Sequence, residues 1–198
     1  MKITKSENTK RLIIEKTASV FNTKGYAGTS INDLMTATGL SKGCIYGNFE
    51  NKDEIALQVF DHNFAKVTQH MKERILATDS SIERLLVYPQ TYKNYFRYSY
   101  LQAGCPILNT ATEADDTHPK LKERAQRALG FWKTSIENQI KRGIVRQEIK
   151  EETDPNEFAV IMISMIEGAF MQAKVNNHMT ELKIAMSFLE KLIRNLRV

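Results

Sequence analysis

The sequence predicts an all-α chain of about nine helices, with a small three-helix domain at the N-terminus and a larger helical domain after it. Three observations lead there. Apolar residues recur at spacings of three and four along most of the 198 residues. The 4 prolines and 9 glycines stand mostly at the edges of those periodic runs. Near residue 40 two short helical patterns meet across Gly39, Leu40 and Ser41, the layout of a helix-turn-helix.

The first helix is expected from about Ser6 to Lys24, with Ile13, Ile14, Thr17, Ala18, Val20 and Phe21 as its inward stripe and Gly25 as its end. Thr29 and Ser30 can each cap a second helix carrying Ile31, Leu34, Met35 and Ala37. Gly39 stops it, because glycine enters the left-handed turn without a Cβ clash. Ser41 opens a third helix, Lys42 to about Asn48, in which Ile45 and Phe49 face inward. Its other side offers Lys42, Gly43, Cys44 and Tyr46: one cation, two small residues and a phenol. A helix tip in a major groove needs that set, with donors for phosphates and no bulk against base edges. Asn51 caps a following helix whose first turn, with Lys52, suits a phosphate.

The run G-Y-x-x-T-S-I-x-x-L from Gly25 to Leu34, then G-L-S-K-G-x-I-Y-x-x-F-x-x-K-D-E-I from Gly39 to Ile55, resembles the DNA-binding domain of the TetR family of bacterial repressors. Gly47 and Asn48 depart from the pattern, where many relatives carry an aromatic residue and a histidine. The resemblance implies a DNA-binding domain over residues 1–50 and an effector-binding and dimerisation domain over 51–198. Ser41, Lys42, Gly43, Cys44 and Tyr46 are the expected groove-facing set; Thr29, Ser30, Tyr46, Asn48 and Lys52 are the expected phosphate holders. Charge agrees: residues 1–52 hold eight Lys/Arg against four Asp/Glu, which is most of the net +5.

Downstream, a long helix from Lys52 to about Ala77 carries apolar residues into two successive packing regions and would act as a lever between them. Asp79, Ser80 and Ser81 cap the next helix. Pro89 lies inside it and should kink it, since its ring crowds the Leu85 carbonyl. Tyr92, Tyr95, Phe96, Tyr98 and Tyr100 follow as an aromatic run expected to stay helical until Gly104, with Tyr88, Tyr92 and Tyr95 on one stripe. Such a run serves either a core or an apolar pocket with a few hydroxyl donors. Pro106 starts another helix. The segment from Gly104 to Glu113 resembles one found in a subset of TetR-like regulators. A helix is expected from Lys120 to about Arg142, ended by Gly143.

Two final helices, Pro155 to about Val175 and Glu181 to about Leu196, are apolar on more than one side. Phe158, Met162, Leu182, Met186, Leu189 and Ile193 are the expected contacts with a second copy of the chain, in a four-helix interface. Tyr92, Phe96, Cys105, Trp132, Met165 and Phe170 are the expected lining of a pocket for a small hydrophobic effector.

No phosphate loop, G-x-S-x-G or H-E-x-x-H occurs, and His62 and His70, eight apart, are too widely spaced for a single-helix metal pair. No catalytic set, metal site or cofactor is expected. Cys44 and Cys105 form no C-x-x-C pair. No membrane span or export segment is evident, so a cytoplasmic location is expected. The resulting expectation is a homodimeric, ligand-released repressor on a palindromic operator. Two alternatives stand beside it: an architectural DNA-binding dimer without an effector, and a redox or electrophile sensor acting through the Cys105 thiol at a helix start.

Overall fold

The computed structural model describes residues 4–198, apart from the side chains of Ser99 and Tyr100. Tyr100, expected in the aromatic run, therefore lies outside the described side chains. The helices are α1 (Lys5–Gly28), α2 (Ile31–Thr38), α3 (Lys42–Tyr46), α4 (Lys52–Leu76), α5 (Ser81–Lys93), the single turn α6 (Ser99–Gln102), α7 (Pro106–Ala114), α8 (Pro119–Val145), α9 (Pro155–Asn176) and α10 (Thr180–Arg194). Among the described residues the only β pairing is an isolated bridge between Ile149 and Arg197.

The chain divides into two compact units. The first comprises the chain up to Lys66 together with Ala103–Gln126; the second comprises Val67–Gln102 and Arg127–Val198. The first has a core of Ile13, Ala18, Phe21, Leu34, Ile45, Phe49, Ile55, Ala56 and Val59, with Leu40 and Tyr26 packed against it. Its helices begin where side-chain oxygens take up orphan N–H groups. Thr4 and Glu7 form a capping box on α1, and Ser30 and Asp33 form one on α2. Asp33 is held down to about 2 by Lys24, then by the Ser30 main chain and hydroxyl. Gly39 closes α2 in the left-handed region, at φ 72°, ψ 12°.

In the second unit α10 packs on α9 and on α5. α5 runs through Pro89 as one element and stops at Lys93, short of the expected Gly104. Asn94 caps it by turning its amide Nδ2 onto the Gln90 carbonyl at 2.9 Å, and a 3₁₀ turn (Tyr95–Arg97) follows. Gly143 does not end its helix either. α8 continues to Val145, and the chain turns at Gln147, φ 56°. The absence of a Cβ at Gly143 instead admits Ile149, whose Cδ1 would lie 2.5 Å from one.

The expected dimer contacts need correction. Met162, Leu182, Met186, Leu189 and Ile193 are all 0% exposed, so they build this chain's own core and are out of reach of a second copy; Phe158 is half-buried. The apolar residues left outward are Val160, Ile161, Met171 and Val175 on α9 and Ile184 and Phe188 on α10. By length and composition alone α9 is apolar enough to cross a bilayer. Its buried side, including Ala159, Met162, Ile166, Phe170 and Ala173, is packed within the second unit.

Candidate nucleic-acid interface

α3 is five residues long, too short to hold its shape alone. It is held from below and at one end. Ile45 (0% exposed) and Phe49 (2%) anchor it in the first core, and the Ser41 hydroxyl accepts from the Cys44 N–H at 3.3 Å. That docking leaves Ser41, Lys42, Gly43 and Tyr46 exposed and Cys44 half-buried on the opposite side. A Cβ built on Gly43 would meet nothing within 4 Å, so this part of the helix is open to a closely approaching surface.

The expected phosphate holders divide. Ser30 is exposed at the start of α2, but its hydroxyl already works in the capping box, donating to Asp33 Oδ2 at 2.8 Å. Thr29 is buried and its Oγ1 donates to the Gly25 carbonyl at 2.6 Å, so it presents no hydroxyl outward. Asn48 is engaged on both sides of its amide: Nδ2 donates to the Cys44 carbonyl at 2.9 Å and Oδ1 accepts from Ser6 at 3.0 Å. Lys52 is turned inward. Its Nζ donates to the Tyr26 carbonyl at 2.9 Å and the Thr29 carbonyl at 3.1 Å, and lies 4.2 Å from the centre of the Tyr26 ring. Sequence reasoning saw a cation at a helix start. The carbonyls left over where α1 ends are better acceptors for it, and they are adjacent only in three dimensions. Lys52→Met should therefore destabilise the first unit by about 1.5–3 kcal/mol, as charge-assisted hydrogen bonds are lost, while leaving the salt dependence of DNA binding unchanged. Urea titration and a salt series on the same protein check both, and a reduced salt slope would restore the phosphate role.

Tyr26 is the centre of this junction. Its hydroxyl donates to Asp53, which with burial pushes its pKa up to about 12. The His118 ring meets its edge at 4.5 Å, and the Glu113 carboxylate accepts its main-chain N–H at 2.7 Å. Glu113 and His118 are functional candidates that sequence reasoning missed; the only hint was the resemblance of the segment ending at Glu113.

The expected effector residues are partly gathered. Tyr92, Trp132 and Phe170, all buried, form one aromatic cluster in the second unit: Tyr92 stacks on Trp132 at 5.7 Å and meets Phe170 edge-on at 5.5 Å. Tyr88 also stacks on Trp132 at 6.1 Å, its hydroxyl 2.9 Å from Ser135 Oγ; burial raises its pKa to about 12. The Trp132 indole N–H is buried without a partner. Met165 is half-buried. Phe96 is 49% exposed, since the chain leaves the helix at Asn94, and Cys105 is buried in the first unit.

Two family profiles match the chain. Residues 13–59 match the one described as bacterial regulatory proteins, tetR family, and residues 81–189 match the tetracyclin repressor-like C-terminal domain, more than half of the chain. The chain belongs to the TetR family. A solved TetR-family transcriptional regulator from Cytophaga hutchinsonii is 41% identical, with 100% of this chain and 99% of that one covered and a TM-score of 0.94. An HTH-type regulator of Lactococcus lactis subsp. lactis is 32% identical over 57% of this chain; the match spans 58% of that protein's length. The HTH-type transcriptional repressor DhaR of Mycobacterium sp. (strain GP1) is 24% identical, over 84% of this chain and 82% of its own. As in the TetR family generally, the N-terminal part is a DNA-binding helix-turn-helix and the C-terminal part is helical.

Proposed function

We propose that this TetR-family protein is a cytoplasmic repressor that binds a palindromic DNA operator as a homodimer and is released by a small hydrophobic effector. Residues 1–50 read DNA, and residues 51–198 dimerise and hold the effector. The supporting observation is the division of α3: Ile45 and Phe49 are sealed into the core while Ser41, Lys42, Gly43 and Tyr46 stand outward around an uncrowded backbone. A twofold dimer sets two such helices about 34 Å apart, one turn of duplex, and so requires a palindrome. The outward apolar residues of α9 and α10, led by Ile184 and Phe188, form the surface that a second copy covers. The cluster around Trp132 favours an effector that is largely apolar and carries one acceptor for the unpartnered indole N–H. With Cys105 only 1% exposed, its thiol is shielded from solvent oxidants, which favours an effector over thiol oxidation as the signal.

Selection of a duplex from a random library by the purified protein, followed by titration across salt, tests the reading. An inverted repeat should emerge, with affinity falling steeply as salt rises. Lys42→Ala should reduce the salt slope by about one per protomer. Absence of any selected duplex would overturn the reading. An unchanged slope would remove Lys42 from the phosphate contacts.

A further inference from the structure

The α1 helix is broken at Gly25, whose φ 72°, ψ 179° is not helical. The break opens one helical hydrogen bond, from the Tyr26 N–H to the Asn22 carbonyl four residues earlier, and leaves the Ala27 N–H unpaired as well. α7 supplies the missing partners. Glu113 accepts from the Tyr26 N–H through Oε2 at 2.7 Å and from the Ala27 N–H through Oε1 at 2.8 Å. One turn earlier on α7, Asn109 Nδ2 donates to the Asn22 carbonyl at 2.7 Å, while Asn22 Nδ2 donates to the Gly104 carbonyl at 2.8 Å. A Cβ on Gly25 would lie 2.3 Å from the Glu113 carboxylate, and one on Gly104 would lie 2.3 Å from Asn109 Nδ2, so both left-handed glycines make room for the splice. All of these residues belong to the first unit.

From the spliced break the chain runs directly into the reading head. The Tyr26–Gly28 turn ends at Thr29, whose N–H reaches back to the Tyr26 carbonyl, and Ser30 then caps α2. The Glu113 carboxylate is therefore the N-cap of this turn, contributed from 87 residues away in sequence. We infer that Glu113, supported by Asn109, is a positioning residue for DNA binding: it sets the angle at which α2 and α3 leave α1, although it touches no DNA. This rests on the DNA-binding reading above and names a residue outside the helix-turn-helix on which operator affinity depends.

Charge gives the test a sign. Glu113→Gln removes a negative charge from a unit that meets phosphates, so electrostatics alone would tighten binding. The geometry requires the reverse, because the amide keeps one acceptor and turns an NH2 donor onto the other N–H. The duplex selected by the wild-type protein is the probe. Glu113→Gln should bind it on the order of tenfold more weakly at fixed salt, a change equivalent to one such interaction, with the salt slope unchanged and faster amide exchange at Tyr26 and Ala27. A variant that binds as tightly as wild type, or more tightly, overturns the positioning role while leaving the DNA reading intact. A wild-type protein that binds no duplex refutes that reading and the positioning role with it. Should Glu113→Gln lose helix content, Asn109→Ala, which cuts the splice from the carbonyl side, decides by the same comparison.

Discussion

Phe170→Ala should cost the second unit about 3–5 kcal/mol. Phe170 is 0% exposed and holds two rings at once, Tyr92 at 5.5 Å and Tyr95 at 4.8 Å, both edge-on. Truncation removes the apolar area and both ring contacts, and Tyr92, stacked on Trp132, cannot fill the space without giving up that stack. Urea unfolding followed by Trp132 fluorescence measures the loss, since Trp132 is the chain's single tryptophan and lies in the same cluster. A loss under about 1 kcal/mol would mean that the cluster collapses onto the gap and is no fixed frame for a ligand.

In the proposed homodimer, Phe188→Asp should convert the dimer to a monomer without unfolding it. Phe188 is 54% exposed in the single chain, so about half of its side chain is left for a second copy to cover. At about 1.5–3 kcal/mol for full burial, that half amounts to roughly 1–1.5 kcal/mol per copy and twice that across a twofold interface. The loss alone is one to two decades in dimer affinity. The two carboxylates brought into an apolar seam add a desolvation cost on top. Sedimentation at several concentrations reads the outcome, and the helix signal should stay that of wild type. A variant that sediments as the wild-type dimer would move the interface off α9 and α10.

Much of the fold could be read from local pattern, because most helix boundaries here are set by residues acting on their immediate neighbours. Ser30, Gly39, Ser41, Asn51 and Pro106 cap, stop or start helices by contacts within four residues, and the structure finds them doing so. Gly143 and the aromatic run after Lys93 depart from the expectation, each for its own local reason. Gly143 makes room for Ile149 instead of closing a helix, and Asn94 ends α5 while the rings beyond it still look periodic. Periodicity reports which residues are apolar but does not say which of two apolar sides faces inward. Hence Met162, Leu182 and Met186 were assigned to a partner when they fill the chain's own core.

The site shows the same boundary. The division of α3 into an inward and an outward side was legible because α3 lies within one short motif. The positions of Thr29 and Lys52 were not, since the carbonyl groups that hold Lys52 and engage Thr29 gather around the Gly25 break in α1. Glu113 is the extreme case. Nothing near it in sequence calls for a carboxylate, and the two N–H groups it satisfies exist only because Gly25 interrupts a distant helix.

Gly43 stands on the outward side of α3 with nothing within 4 Å of where a side chain would begin, while Ile45 and Phe49 moor the helix from below and Ser41 caps its start. On the proposed reading, positions 42, 43 and 46 carry the recognition, and none of them anchors the helix. If that reading holds, a lineage could exchange those three positions one by one and acquire new target sites, with no repair needed beneath them.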